Sequence, residues 1–236
     1  GLPLPAPDHW TALFFQTESA GVRLAYAMGR LKVGGWWWYF PLAFLLKNPL
    51  PFIIASLVGI AAYLRVPWMR KTLALPALFS GVYTAVAITQ GPNIGYRHML
   101  PVHPTLYLMI AAAATALIAQ AGPRWRWAKI VALMAYGWYA MGTLASTPNE
   151  IAYFNELAGP PHNQHAYLIS SNLNWGQMTK ELGRYLRDRE LETTYLAYAP
   201  PAPYPLDADV YLPPHHGSAA MTTPFHPLPG LYLIDA

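Results

Sequence analysis

The sequence predicts a mainly α-helical membrane protein, with about four transmembrane helices followed by a small extracytoplasmic α/β module. Three observations predict it. Of the 236 residues, 54% are hydrophobic and only 11% are charged, against about 25% charged in soluble domains. The 131 positions from Ser19 to Asn149 contain no Asp or Glu, although the surface of a water-soluble domain draws on both acidic and basic residues. From about Ser146 onward, charges of both signs return and apolar residues begin to alternate with polar ones.

The first segment, residues 1–47, reads as extracytoplasmic or interfacial. The Pro-rich start Leu2-Pro3-Leu4-Pro5-Ala6-Pro7 cannot form the apolar helix of a signal peptide. Trp36-Trp37-Trp38-Tyr39-Phe40 is an aromatic cluster of the kind that settles at headgroup level. The membrane region, residues 48–145, is read from its charge-free stretches. The first is the shortest, 17 residues between Lys47 and Arg65, and its flanking cations would have to snorkel. Pro49 and Pro51 suit its first turn, where a missing N–H costs little. The next three run between Lys71 and Arg97, between Arg97 and Arg124, and between Lys129 and Glu150, with 25, 26 and 20 residues. Each is long enough for one helix across about 30 Å of hydrocarbon.

The loops set an orientation. Arg65, Arg70 and Lys71 fall between the first two spans, and Arg124, Arg126 and Lys129 between the last two. Positive-inside counting puts these loops in the cytoplasm and both termini outside. Arg30, Lys32 and Lys47 count mildly the other way.

The third segment, residues 146–236, reads as the α/β module. Ala166 to Ser170 is expected as a strand. Asn174 is expected to cap a helix reaching about Arg189, with Met178, Leu182, Tyr185 and Leu186 on its apolar face. Thr193 to Tyr198 and Gly230 to Ile234 read as further strands on either side of a Pro-rich connection.

Composition removes several function classes. With no cysteine, thiolate nucleophiles, Cys-based zinc sites and disulfides are excluded. The net charge of +4 comes from few basic residues, and no basic stripe interleaved with aromatics points to nucleic acid. No Gly-rich phosphate loop, G-x-S-x-G, H-E-x-x-H or metal-ligand spacing occurs, so no metal and no cofactor is expected. His98 and His103 are poorly spaced for a shared metal, and His215-His216 sits in a Pro/Gly-rich loop.

Three clusters carry chemistry. In Gly95-Tyr96-Arg97-His98-Met99-Leu100-Pro101, an Arg at the mouth of two spans is placed to meet a lipid phosphate, which a guanidinium recognises with a fixed fork of donors. An arginine simply anchored among headgroups is the plainer alternative. In Tyr153-Phe154-Asn155-Glu156, Glu156 is a candidate acid, base or polar anchor. In Ser171-Asn172-Leu173-Asn174-Trp175-Gly176-Gln177, side-chain amides and an aromatic ring beside a predicted helix start offer a cleft for a sugar or anion. Turn formation and capping account for the same Asn and Ser residues.

In order, these clusters resemble the C-terminal half of a membrane glycosyltransferase of the GT-C type. The branch that uses polyprenyl-phosphate sugars, protein mannosyltransferases and aminoarabinose transferases, is the most similar. Gly34-Gly35-Trp36-Trp37-Trp38-Tyr39-Phe40-Pro41 and Leu45-Leu46-Lys47-Asn48-Pro49-Leu50-Pro51 resemble that family's G-W-W-Y-Y-F-P and L-L-K-T-P-L-P runs. The Gly95–Pro101 loop resembles its G-x-R-Y-x-L-P, and the two later clusters its Y-F-N-E and S-N-L-D-W-G-Q segments.

The resemblance implies a bacterial plasma-membrane protein acting at the outer face on a polyprenyl-phosphate sugar donor. It also implies roles. Arg97, Lys47, Tyr96 and His98 would contact the lipid phosphate, and Asn172, Asn174, Trp175 and Gln177 would shape the sugar or acceptor cleft. Two departures limit this. The family's catalytic acid lies in a first extracytoplasmic loop that has no counterpart here, so the catalytic N-terminal half is expected to be missing. Ser170, Asn174 and Met178 stand where the family has Asp. Glu18 and Glu156 are the local substitutes.

Two functions follow. One is part of a lipid-linked sugar transferase, not catalytic on its own and completed by another membrane polypeptide. The alternative is a degenerate relative serving as a structural or accessory subunit of a larger membrane complex, with small residues such as Ala111 to Ala114 packing against neighbouring helices. A transporter or channel fits poorly, because no predicted span contains a buried charge.

Overall fold

Prolines and a glycine turn set where the first elements begin and end. Strands β1 (Leu24–Ala27) and β2 (Arg30–Val33) pair antiparallel, with Ala27 opposite Arg30. Met28 and Gly29 link them with φ of 53° and 73°. Two successive positive φ values make the two-residue turn whose twist matches a hairpin, and Gly29 takes its share without steric cost. Helix α1 (Tyr39–Lys47) stops at Asn48, whose Nδ2 donates back to the Phe44 carbonyl at 2.8 Å. Helix α2 (Leu50–Arg65) starts from Pro49 with a proline in its first turn, as the sequence predicts. Pro67 interrupts it, and α3 (Pro67–Thr72) and α4 (Ala74–Thr89) follow.

A 3-10 turn over Tyr96–Val102 leads into α5 (His103–Gln120), and α6 (Trp125–Ser146) comes next. Short 3-10 turns between Glu150 and Asn172 connect to α7 (Thr179–Asp188). Strands β3 (Thr194–Ala197), β4 (Val210–Tyr211) and β5 (Leu231–Ile234) form a parallel sheet in the order β4-β3-β5. This computed structural model describes residues 24–89, 93, 95–120, 125–177, 179–188, 194–197, 210–211 and 231–234.

The described residues are mostly helical, and a helix stands on each of the four charge-poor stretches. Among the described residues, one helical run, Tyr96–Gln120, is both long and apolar enough to cross a membrane. Helices α2 and α4 are apolar but have 16 residues each, about 24 Å at 1.5 Å per residue. Helix α6 has 22 residues but carries Arg126 and Lys129 in its first turns.

The main core draws on distant parts of the chain. Tyr39, Phe40 and Leu46 of α1 pack with Phe52, Met99 and Leu106, and with Phe154 and Leu168 from beyond α6. A second cluster of Met69, Leu73, Met109 and Ala113 joins α3 to α5. Helices α2 and α5 make the most extensive helix–helix contact, and Ser80 Oγ donates to Thr105 Oγ1 at 2.7 Å between α4 and α5.

Two expectations need correction. Ala166 to Ser170 is not a strand: a 3-10 turn covers Pro161–Ala166 and another Ser170–Asn172. The Tyr167 N–H bonds locally to the Gln164 carbonyl at 3.0 Å, and Ser170 takes a positive φ of 60°. Leu168 is fully buried in the main core instead of lying in a ladder. Asn174 does not cap the following helix, which begins only at Thr179. Its Oδ1 accepts the Gly176 N–H at 2.8 Å, closing a turn in which Gly176 has a φ of 83°. Met178 lies outside the described residues. The aromatic run Trp36–Phe40 also divides: Tyr39 and Phe40 are core residues, while Trp37 is 70% exposed.

Candidate functional site

The site begins with a chain of side-chain amides that pins loops to helix ends. Asn155 is 2% exposed. Its Nδ2 donates to the carbonyls of Leu45 and Asn48 at 2.6 and 2.7 Å, and its backbone N–H to that of Leu46 at 2.9 Å. The end of α1, whose last carbonyls lack intrahelical partners, is thus tied to the Tyr153–Glu156 segment. Asn172 makes the matching link on the other side. Its Oδ1 accepts the Tyr96 N–H at 2.9 Å, and its Nδ2 donates to the Tyr39 hydroxyl at 2.9 Å and the Ile169 carbonyl at 3.1 Å. Burial raises the Tyr39 phenol to about 12, against a smaller lowering by the Asn172 bond, so this group keeps its proton.

These links enclose a cavity of about 460 Å³. Its wall takes Pro49 and Phe52 from the start of α2, Tyr96, Arg97 and His103 from the turn and start of α5, and Tyr139 from α6. Lys47, Asn172 and Trp175 complete it, with Glu150 the one carboxylate among its lining residues.

The two cations are held differently. Lys47 Nζ donates to the Ile151 and Asn172 carbonyls at 2.8 and 2.7 Å and lies 4.2 Å from the Phe154 ring centre. Arg97 places its guanidinium 4.1 Å from the ring centre of Trp175, itself 59% exposed. The aromatic face favours the cation while leaving the guanidinium edge, with its N–H donors, open to an anion.

The Tyr96 hydroxyl joins two side chains. Asn48 Nδ2 donates to it at 2.7 Å and to the Phe44 carbonyl at 2.8 Å. Because a carbonyl only accepts, the amide orientation is settled. The same hydroxyl shares a hydrogen bond with His103 Nε2 at 2.5 Å, the donor being set by the imidazole tautomer. His103 also lines the cavity.

Of the residues singled out from sequence, Lys47, Tyr96, Arg97, Asn172 and Trp175 line the cavity. Asn174 and Gln177 are not among the lining residues but hold the turn that carries Trp175: Gln177 Oε1 accepts the Trp175 N–H at 2.6 Å and its Nε2 donates to the Leu173 carbonyl at 2.8 Å. His98 is in the same 3-10 turn but not among the lining residues. Glu156 accepts the Trp138 indole N–H at 2.7 Å and is not among them either. Glu18 and His215-His216 lie outside the described residues. Asn48, Asn155, His103 and Glu150 were not foreseen as site residues. The signal for Asn48, Asn155 and His103 was available only in part, as polar residues beside apolar runs, and that for Glu150 as the first carboxylate after a long stretch without one. Among the described residues, no group of three or more His, Asp or Glu could hold a metal ion.

Comparison with family models, curated proteins and solved structures finds no match.

Burial lowers the Lys47 ammonium from 10.5 to about 7. The cavity therefore loses a positive charge as pH rises through neutrality, with Arg97, His103, Tyr96, Tyr153 and Glu150 lining the same wall. The unfolded chain still holds that proton up to 10.5, so stability from this group rises between about pH 7 and 10.5. Anion binding is expected to move the opposite way. If the cavity holds a phosphate, as Arg97 and Lys47 would suit, affinity for a short-chain isoprenyl phosphate should fall about tenfold between pH 6 and 8, the worth of one charge-assisted contact. The ligand's own second ionisation, near pH 6, works in the other direction, so a fall isolates the protein's contribution. Titration calorimetry on the wild type and Lys47→Met checks this, and a variant that shows the same fall would acquit Lys47.

Proposed function

We propose that this chain is a glycosyltransferase-like integral membrane protein, part of a lipid-linked sugar transferase working on a polyprenyl-phosphate donor at the outer membrane face. In this reading four helices, α2, α4, α5 and α6, pass through the bilayer, with the short ones tilted least and flanked by snorkelling cations. The region after α6 forms an extracytoplasmic α/β module. The observation that carries the proposal is the convergence of Lys47, Arg97, Asn172 and Trp175 on one cavity at the foot of the apolar Tyr96–Gln120 run. A cation pair beside amides and an indole ring suits a phosphate joined to a sugar, while the apolar wall around Phe52 and Leu100 suits the first isoprene units.

The reaction is a substitution at the anomeric carbon. An acceptor hydroxyl forms the new bond, the bond to the lipid phosphate oxygen breaks, and the departing phosphate takes the electron pair. Arg97 and Lys47 stabilise that growing negative charge. The acceptor proton goes to a carboxylate; among the described residues the cavity wall offers Glu150 alone, and this reading takes the catalytic base from another membrane polypeptide, so that the chain is not catalytic by itself.

A second reading is favoured by α6. None of the side chains described on this helix is buried, and Trp127, Leu133, Tyr136 and Met141 are each about 70% exposed. Such a helix fits lipid, and it fits equally a neighbouring subunit in a complex where this chain is an accessory.

Purifying the native assembly in mild detergent separates the two. The transferase reading expects a second multi-span polypeptide with an acidic extracytoplasmic loop, sugar transfer from an isoprenyl-phosphate donor, and loss of that transfer in Arg97→Ala. An assembly without such a partner or activity, or transfer that survives Arg97→Ala, sinks it and leaves the accessory reading.

A further inference from the structure

Lys47 sits where an amine is easier to hold than an ammonium ion. Its Nζ donates to the Ile151 and Asn172 carbonyls at 2.8 and 2.7 Å. Two neutral acceptors use the two N–H groups of an uncharged amine and leave its lone pair over. The Phe154 ring centre, 4.2 Å away, is a further apolar neighbour. Glu150 lines the same cavity, yet among the described residues no carboxylate forms an ion pair with Lys47. Burial therefore favours the neutral form and brings the group down to about 7. The side chain is half-buried and lines the cavity wall, so a ligand in the cavity can reach it. A lysine desolvated among apolar groups, with a second cation in the same site, is activated for attack on a carbonyl carbon. Arg97 supplies that second cation.

We propose that the cavity takes a planar aldehyde carrying a phosphate, whose carbonyl carbon condenses with Lys47 Nζ while Arg97 holds the phosphate. The amine lone pair forms the C–N bond. The aldehyde oxygen leaves as water with both amine hydrogens, and the imine that remains takes a proton from solvent. The protonated imine keeps one N–H for one of the two carbonyls. Tyr107, Tyr139 and Tyr153 line the same cavity and offer rings against which a flat ligand packs. The open edge of the Arg97 guanidinium, stacked on Trp175, matches phosphate oxygens. A volume of about 460 Å³ lies in the range of small-molecule sites. Because the proposal rests on the cavity and not on the transferase reading, its failure leaves that reading untouched.

The test treats the whole chain in mild detergent with pyridoxal 5′-phosphate and then with borohydride, which reduces an imine to a stable amine. Peptide mass spectrometry compares Lys47 with the exposed Lys71 in the same sample. At about pH 7.5 an ordinary lysine is almost wholly charged, so Lys47 should be labelled at least about tenfold faster than Lys71. Pyridoxal, which lacks the phosphate, should lower that ratio severalfold. So should Arg97→Met treated with the phosphate reagent, because the anchor is then missing. The comparison of the two aldehydes is made on the wild type, so it stands even where Arg97→Met fails to fold. A Lys47 label no faster than that of Lys71 overturns the proposal. A fast label with the same ratio for both aldehydes overturns it too, since nothing in the cavity then selects a phosphate. A ratio unchanged in a folded Arg97→Met has the same consequence.

Discussion

Asn172→Ala is expected to lower the unfolding free energy in detergent by about 2–6 kcal/mol and to abolish the cavity. The side chain is 1% exposed and serves three partners: the Tyr96 N–H, the Tyr39 hydroxyl and the Ile169 carbonyl. Alanine leaves the Tyr96 N–H and the Tyr39 hydroxyl without this partner, whereas the Ile169 carbonyl keeps the backbone N–H of residue 172 at 3.4 Å, and each buried orphan costs about 1–3 kcal/mol. Loss of the link also releases the 170–175 segment from the Gly95–Tyr96 loop. That contact is tight, since a Cβ at Gly95 would lie 2.2 Å from Ser171 Oγ. Asn172→Asp makes a graded comparison. Its carboxylate can accept from the Tyr96 N–H and from the Tyr39 hydroxyl, which holds its proton, but it faces the Ile169 carbonyl with no donor. Unfolding midpoints should therefore run wild type, then Asn172→Asp, then Asn172→Ala. A wild-type midpoint for Asn172→Ala means that the amide bears no structural weight.

Gly59→Leu is expected to part α2 from α5. A Cβ at this position would stand 3.0 Å from the Ile110 nitrogen and from the Met109 carbonyl carbon, both backbone atoms that cannot rotate away. Small residues allow such close helix contacts, and overpacking of a tight interface costs about 1–3 kcal/mol. Gly59→Ala should show a smaller loss, because the helices need shift only by tenths of an ångström. Gly81→Leu and Gly137→Leu are the controls: both positions are in helices, and a Cβ there meets nothing within 4 Å. The effect should reach the cavity as well. Phe52 and His103, whose rings stand 5.1 Å apart across the start of α2 and α5, lie in its wall. Isoprenyl phosphate affinity should thus fall in Gly59→Leu and stay unchanged in the two controls. Equal melting midpoints for all three variants would show that the α2–α5 contact is looser than its backbone distances.

Some of the site was legible in the chain. Arg97 and Lys47 stood out because charge is scarce there and each borders a long apolar run, and both reach the cavity. Glu156 stood out for the same reason yet bonds Trp138 outside it. The neighbouring Asn155 does more, closing the end of α1 through contacts with Leu45 and Asn48. Charge can be read from one position, whereas the value of an amide depends on which carbonyls lie opposite its two donors, residues about 110 positions away in the chain. The predicted strand at Ala166–Ser170 fails for a related reason. Alternating apolar residues indicate two faces, but here the neighbours Tyr167 and Leu168 both pack against the core, and among the described residues no strand pairs with this segment.

By itself the sequence determined that a helix stands on each of the four charge-poor stretches and how apolar these are, although not the helices Tyr39–Lys47 and Pro67–Thr72. Composition, proline position and helical length act within a few residues and need no knowledge of the rest of the fold. It also determined the lack of any carboxylate from Ser19 to Asn149. Only the tertiary structure decided which polar groups share the cavity, that the Tyr96 hydroxyl meets both Asn48 and His103, and which loops the amides of Asn155 and Asn172 tie down. Those outcomes turn on distances of about 3 Å between segments far apart in the chain, and such distances exist only once the core of Tyr39, Phe52, Phe154 and Leu168 has packed.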